Sequence, residues 1–183
     1  MKFWILVVVI LSMLAFSAIA FAQSPEIDKA LLAAPANMKE GATVIKWKPD
    51  FTYDTLKKGT NKLVCYDRTG QPGQQPFAVE CTSLANLERV AFSLKIESTI
   101  ADKKAQQAAF EAADKDGTWV KPEFGSLWIH MSGPDAEHAR KHVTVAVPGA
   151  TTQSMGLPDN ASKGGMWIMY PGTSAAHLMT PGS

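Results

Sequence analysis

The sequence predicts one α+β domain in which a mostly antiparallel sheet, built from N-terminal and C-terminal strands, has a helical middle segment packed on one face. Short β-prone segments occur in the first third and again in the last third of the chain, and a segment rich in helix formers lies between them. No internal repeat and no linker divides the sequence. Because strands on both sides of a helical segment pack most compactly as one sheet with helices on a face, we expect residues 23–183 to form a single domain.

The amino terminus predicts a cleavable signal peptide over residues 1–22. Lys2 precedes an apolar run at residues 3–14, and the small residues Ala20 and Ala22 form the cleavage pattern. We expect cleavage after Ala22, export to the periplasm or the medium, and no stable membrane insertion after cleavage. The alternative is a retained anchor, because about 20 apolar residues are enough to cross a bilayer.

The charge balance argues against two classes of partner. Of 18 Lys and Arg residues only Lys2 precedes the cleavage position, so the remaining basic residues equal the 17 acidic ones in number. Nucleic acids and anionic membranes are bound through clustered Lys and Arg, and the sequence has no such cluster. We therefore expect an unknown small molecule or another protein as the partner, and no nucleic acid.

Two cysteines, Cys65 and Cys81, predict a disulfide, since a lone pair in an exported protein is usually oxidised. Closing so short a loop removes entropy from the unfolded chain worth about 3 kcal/mol in the simplest model. Two unpaired buried thiols are the alternative. A redox site is disfavoured, because the Cys-x-x-Cys spacing that lowers a thiol pKa is absent.

The elements of the first half follow from capping residues and β-prone runs. Ser24 as N-cap and Pro25 at the first helical position predict a short helix that Pro35 ends. Three β-prone segments follow, at residues 42–47, 51–56 and 62–66. They predict an antiparallel meander with Cys65 in its third strand. Residues 69–76 are rich in turn formers and predict a loop whose two ends the disulfide joins.

The rest of the chain contains one ambiguous element, one clear helix and four strands. Residues 84–97 carry both a helical stripe of apolar side chains and an alternation typical of a strand, and we favour the helix. Residues 102–114 predict a solvated helix that ends at Gly117. Four small side chains are expected to face inward from it: Ala105, Ala108, Ala109 and Ala112. The predicted strands are residues 126–131, 142–147, 165–170 and 176–179.

Several segments follow one another in a characteristic order: KKGTNKLVCYDR and VEC around the cysteines, SLWIHMSGP, GGMWIMYPGT, and the ending AHLMTPG, which completes Gly-Thr-x-x-Ala-His-Leu-Met-x-Pro. Together they resemble a family of exported bacterial proteins known only as uncharacterised. The likeness covers most of the chain after the signal peptide. It implies export and a disulfide but no activity, and it does not extend to the longer, more charged helical middle segment.

Histidines form the first candidate site. His142 and His177 begin two predicted strands and His130 lies within a third, so two or three imidazoles could meet on one face of the sheet. Three methionines accompany them: Met131, Met169 and Met179. Histidine and methionine ligands in an exported protein suit copper, and histidine also suits zinc. The alternative is no cofactor, with the methionines in the core and each histidine satisfying a backbone hydrogen bond.

Other motifs add one further candidate. His138 and His142 have metal-ligand spacing for a helix, but the second starts a predicted strand, so the two rings are expected on different elements. No serine lies in a Gly-x-Ser-x-Gly turn. Trp128 and Trp167 flank the histidine-bearing strands and could line a small-molecule pocket, although tryptophans are more often core residues.

The sequence therefore predicts an exported, non-enzymatic binding or structural domain that acts through its C-terminal sheet. The alternative is a small exported metal-binding protein or hydrolase that uses the C-terminal histidines. Convergence of His130, His142 and His177 would favour the metal. A histidine in contact with a serine or a carboxylate inside a pocket would favour the enzyme.

Overall fold

The computed structural model describes residues 24–182, so the predicted signal peptide at residues 1–22 lies outside the described residues. The helices are α1 (Pro25–Ala30), α2 (Ala36–Lys39), α3 (Leu87–Thr99), α4 (Lys103–Asp116) and α5 (Thr152–Met155). The strands are β1 (Thr43–Trp47), β2 (Tyr53–Lys57), β3 (Leu63–Asp67), β4 (Phe77–Ser83), β5 (Leu127–Gly133), β6 (Arg140–Ala146), β7 (Trp167–Met169) and β8 (His177–Met179).

The described strands form one sheet in the order β2-β1-β3-β4-β5-β6-β8-β7. All neighbouring strands are antiparallel except β1 and β3, which are parallel. N-terminal and C-terminal strands thus join in a single domain around a helical middle segment. The predicted α+β class is confirmed.

The predicted antiparallel meander of the first three strands is wrong. β1 and β2 form a hairpin, but β3 then pairs in parallel with β1, with Thr43 opposite Val64. Burial explains the order, because β3 is buried from Leu63 to Tyr66 and needs a neighbour on each side. β2 is mostly exposed and is suited to the edge of a sheet.

The two faces of the sheet are covered by different helices. On the first, here called the α1 face, Val44, Cys65 and Cys81 pack against Ala30 and Leu31. On the opposite α3 face, apolar side chains of β1 and β3 pack against one stripe of α3: Ile45, Val64 and Tyr66 meet Leu87, Val90 and Leu94. The helical middle segment therefore covers one face as predicted, and α1 adds a cover on the other.

The helix favoured for residues 84–97 is confirmed as α3, which a 3₁₀ turn at Leu84–Asn86 precedes. Ser24 caps α1 as expected, accepting a hydrogen bond from the Ile27 amide. The expectation that Pro35 ends this helix is wrong, since α1 already ends at Ala30 and Pro35 instead precedes α2.

α4 has the predicted limits, with Asp102 capping its start and Gly117 in the left-handed conformation after its end. The expected inward face is wrong: Ala105, Ala108 and Ala112 are exposed and Ala109 is half-buried. Gln106 and Ala113 are buried instead. The Gln106 amide donates to the Ile100 carbonyl at the end of α3. This contact selects the face that α4 turns inward.

The predicted disulfide joins Cys65 in β3 to Cys81 in β4, with an S–S distance of 2.07 Å. The two residues are directly opposite each other in the antiparallel pair, and both are fully buried. The crosslink therefore lies within the strands, a short way inside the ends of the loop at residues 69–76. It ties the centre of the sheet together.

Gly59, between β2 and β3, is a position where a side chain does not fit. An added Cβ would lie 2.3 Å from the Gly41 carbonyl oxygen and 2.4 Å from the Thr43 amide nitrogen. Because both atoms belong to the backbone, we expect Gly59→Ala to lower the free energy of unfolding by about 2 kcal/mol in urea denaturation. At Gly182 the nearest atom, in the Arg140 side chain, is 3.5 Å away, so Gly182→Ala is the control. Equal stability of the two variants would contradict the prediction.

Candidate functional site: a cleft on the α3 face

A cleft of about 230 Å³ lies between the α3 face of the sheet and α3. We call it the inner chamber; its lining includes Arg68, Glu80, Arg89, Trp128, Thr144 and His177. An outer chamber of about 410 Å³, between α3, α4 and the segment after β7, includes Phe110, Asp114 and Thr173. Both chambers are lined by Ser93, Glu97, Trp119, Tyr170 and Ala175, so they adjoin as one cleft.

Strand register brings the sheet residues of this face into line. Glu80, His130 and His142 are direct partners across β4, β5 and β6. Alternate residues of a strand point to the same face, so Thr144 and Ala146 follow His142 along β6. Each has a partner on β8: Thr144 is opposite Met179 and Ala146 is opposite His177.

A hydrogen-bonded network surrounds buried Glu80, which lines the inner chamber together with Arg68 and Glu97. One carboxylate oxygen accepts a hydrogen bond from the Tyr66 hydroxyl, and the other lies 3.2 Å from Nδ1 of His130 and 3.3 Å from Nη1 of Arg68. Arg68 also donates from Nη2 to Glu97 at 2.7 Å. An ionised carboxylate only accepts, so His130 carries a proton on Nδ1. We call these five residues the Glu80 cluster.

The Glu80 cluster keeps Glu80 ionised. Burial raises the pKa of this carboxyl, but the hydrogen bond from His130, the Arg68 charge and the hydrogen bond from Tyr66 outweigh burial and lower the pKa to about 2. Burial and the Glu80 charge raise the pKa of Tyr66 well above its ordinary value. Burial opposes the charge of Arg68, yet Glu80 and Glu97 raise its pKa. The charges of the cluster are therefore compensated within the protein.

Two of the three candidate histidines come together. The rings of His130 and His142 have centroids 5.4 Å apart. His177 is level with Ala146, four residues further along β6, which places it about 13 Å from His142 at the usual rise per strand residue. Within residues 24–182, no group of three or more His, Cys, Asp or Glu side chains is arranged to hold a metal ion. A copper or zinc site at these histidines stays a prediction.

The candidate methionines and tryptophans are divided between the two faces. Met131 packs against the α1-face core. The expectation that it accompanies the histidines is therefore wrong. Met179 lies on the α3 face, where its sulfur accepts a hydrogen bond from the Thr144 hydroxyl. Met169 and Trp167 belong to edge strand β7, opposite His177 and Met179 respectively. Trp128 lines the inner chamber.

The contacts expected of a hydrolase are only partly present. His177 lines the inner chamber, and its Nδ1 donates to the Ala175 carbonyl, which leaves Nε2 as an acceptor. Burial lowers the pKa of His177, and the nearby Arg89 charge lowers it further. The Ser174 hydroxyl, however, donates to Asp114. No serine of the described residues is hydrogen-bonded to a histidine. Of the three candidate histidines, His130 is the one hydrogen-bonded to a carboxylate, that of Glu80.

His138 lies outside this site. Its ring and its amide both contact Asp135 in the exposed turn before β6. His142 is within β6, so the two histidines sit on different elements as expected.

Sequence reasoning missed the buried charged residues of the cleft. Glu80 leaves a signal, since a single acid stands within the apolar run of β4. Arg68 ends such a run but resembles an ordinary turn residue. Arg89 leaves no such signal in the sequence, because a basic residue beside the apolar stripe of a helix is normally exposed to solvent.

The fold and the cleft define a disulfide-bonded α+β domain with a cleft on the α3 face of its sheet. No family model, curated protein or solved structure matches the chain. The resemblance to a family of exported proteins therefore stays a prediction. No helix within residues 24–182 has the length and apolarity that a membrane span requires.

Proposed function

We propose that this protein is an exported, non-enzymatic binding protein that holds a small organic molecule in the cleft on the α3 face. The observation that carries the proposal is the combination of aromatic walls with charged groups at the base of one concave site. Trp128 and Tyr170 supply the apolar walls, and the inner and outer chambers adjoin. Sites for small molecules have this composition, with apolar surfaces and a few polar groups that orient the ligand.

Binding fits the chemistry of the cleft better than catalysis. Both oxygens of the Glu80 carboxylate are engaged, and its low pKa makes it a poor proton acceptor at neutral pH. Ser174 is hydrogen-bonded to an acid and lacks the histidine that would activate it. Export is supported by the signal-peptide pattern and by the disulfide, which is typical of proteins in oxidising compartments.

The proposal is tested by filling the cleft. Ser93 lines both chambers, so Ser93→Trp should block them, whereas Lys95→Trp places the same side chain on the exposed side of α3. A library of small aromatic amides and carboxylates is screened by NMR against the mature protein. We expect shifts to concentrate at Trp128, Tyr170 and His177, to disappear in Ser93→Trp and to persist in Lys95→Trp. An absence of hits, or hits that Ser93→Trp leaves intact, would refute cleft binding.

A further inference from the structure

Arg89 is a buried cation in the inner chamber. It is 6% exposed and lies near the start of α3. Its Cζ is 3.3 Å from the ring centroid of Trp119, on which Phe110 also stacks at 4.7 Å. At these distances the guanidinium and the phenyl ring would clash on one face of the indole, so they lie on opposite faces. The Trp119 ring is therefore held between Arg89 of α3 and Phe110 of α4. This sandwich holds the guanidinium in a fixed orientation.

Arg89 differs from Arg68 in how its charge is compensated. Arg68 forms ion pairs with Glu80 and Glu97. Within residues 24–182, Arg89 forms no salt bridge, and its one hydrogen bond runs from Nη1 to the Val120 carbonyl at 2.7 Å. A guanidinium has five N–H donors, so most of those of Arg89 have no acceptor in the described protein.

The acids of the cleft do not supply that acceptor. Glu80 and Glu97 are held by Arg68, Asp114 accepts the Ser174 hydroxyl, and Glu111 accepts a hydrogen bond from Gln107. Burial lowers the pKa of Arg89 to about 10, and Asp114 offsets only part of this effect. Arg89 is therefore still charged at neutral pH, and a buried charge that no ion pair compensates is costly unless a ligand provides the counterion.

We propose that the ligand of the cleft carries a carboxylate that Arg89 binds, with a flat apolar part between Trp128 and Tyr170. This inference rests on the proposed function and adds the chemical class of the ligand. A guanidinium matches a carboxylate in geometry as well as charge, because its N–H groups form a planar fork. The inner chamber is smaller than a pocket for a drug-sized molecule, so the buried part of the ligand is one or two rings.

The test uses two probes of nearly equal shape, 2-naphthoate and its neutral amide, 2-naphthamide. Isothermal titration calorimetry on the mature protein should show at least about tenfold tighter binding of 2-naphthoate. In Arg89→Gln, 2-naphthoate should lose at least about tenfold in affinity, while 2-naphthamide changes less than about twofold. Arg140→Gln removes the same charge from an exposed position of β6 and should leave both affinities unchanged.

A second variant keeps Arg89 and its contacts, in case Arg89→Gln fails to fold. Asp114→Asn removes the acid that partly offsets the Arg89 charge and should strengthen 2-naphthoate binding several-fold without changing 2-naphthamide binding. Three results would overturn the carboxylate assignment and leave cleft binding intact. They are equal affinity of the wild-type protein for both probes, equal losses of affinity for both probes in Arg89→Gln, and weaker 2-naphthoate binding in Asp114→Asn. If neither probe binds the wild-type protein, the assigned ligand class is overturned, and the NMR screen decides separately whether the cleft binds small molecules.

Discussion

Glu80→Gln is expected to lower the free energy of unfolding at pH 7 by roughly 3 to 5 kcal/mol, the cost of breaking a buried ion pair from one side. The substitution keeps the size of the side chain but removes the charge that Arg68 and His130 contact. It also directs an amide donor toward groups that themselves donate. Urea denaturation followed by circular dichroism measures the loss.

The matched control is Glu123→Gln, at an exposed position in the segment between α4 and β5. It removes an equal charge from a solvated site and should change stability by less than about 0.5 kcal/mol. If both variants unfold at the same urea concentration, the Glu80 cluster does not stabilise the fold.

The cost of Glu80→Gln is also expected to depend on pH. Folding lowers the pKa of Glu80 from 4.5 to about 2, and this difference corresponds to about 3 kcal/mol. A depressed carboxyl pKa stabilises the folded state above the unfolded pKa, and the contribution is lost as pH falls through 4.5 toward 2. The difference in free energy of unfolding between the wild-type protein and Glu80→Gln should therefore narrow as the pH falls from 4.5 toward 2.

Two histidines add to the acid sensitivity of the wild-type protein. Burial, with the neighbouring His130, lowers the pKa of His142, and burial also lowers that of His177. Their contributions are complete above pH 6.5 and are lost as the pH falls below it. His177 affects the two proteins alike. The Glu80 charge raises the pKa of His142, so in Glu80→Gln this pKa is lower still and the variant loses slightly more stability from His142 below pH 6.5, before Glu80 itself titrates. A gap between the two proteins that stays constant from pH 7 to pH 3 would contradict the assigned role of Glu80.

Replacing both cysteines, Cys65→Ala with Cys81→Ala, is expected to lower the free energy of unfolding by about 3 kcal/mol. The disulfide restricts the unfolded chain, and both sulfur atoms lie in the α1-face core, so their removal also reduces packing. The double variant avoids an unpaired buried thiol. Urea denaturation of the two proteins at pH 7 gives the difference.

A reductant distinguishes the stability that the crosslink contributes from the stability that packing of the cysteines contributes. Dithiothreitol in the urea series should lower the stability of the wild-type protein toward that of the double variant and should not affect the variant. The wild-type protein is also unfolded and refolded in excess dithiothreitol. If its free energy of unfolding then stays unchanged, the crosslink contributes nothing, and the lower stability of the double variant is due to packing alone.

Local patterns determined the type of most elements. Ser24 and Pro25 start α1, Asp102 and Gly117 bound α4, and apolar runs mark the strands. These predictions succeed because capping, turns and periodicity act between residues a few positions apart. The disulfide was predictable for a related reason, since a lone cysteine pair leaves one partner for each sulfur.

The sequence by itself determined the α+β class, α1, α4, the strands other than β4, and the Cys65 to Cys81 crosslink, whereas β4, α2 and α5 were not predicted. Tertiary structure alone decided that β3 pairs with β1, which face α4 buries, and that Arg68, Glu80 and Arg89 line one cleft. Strand order and the meeting of charged side chains depend on contacts between residues far apart in the chain. Burial in the folded state then separates a compensated charge such as that of Arg68 from an uncompensated one such as that of Arg89, and no local pattern carries this distinction.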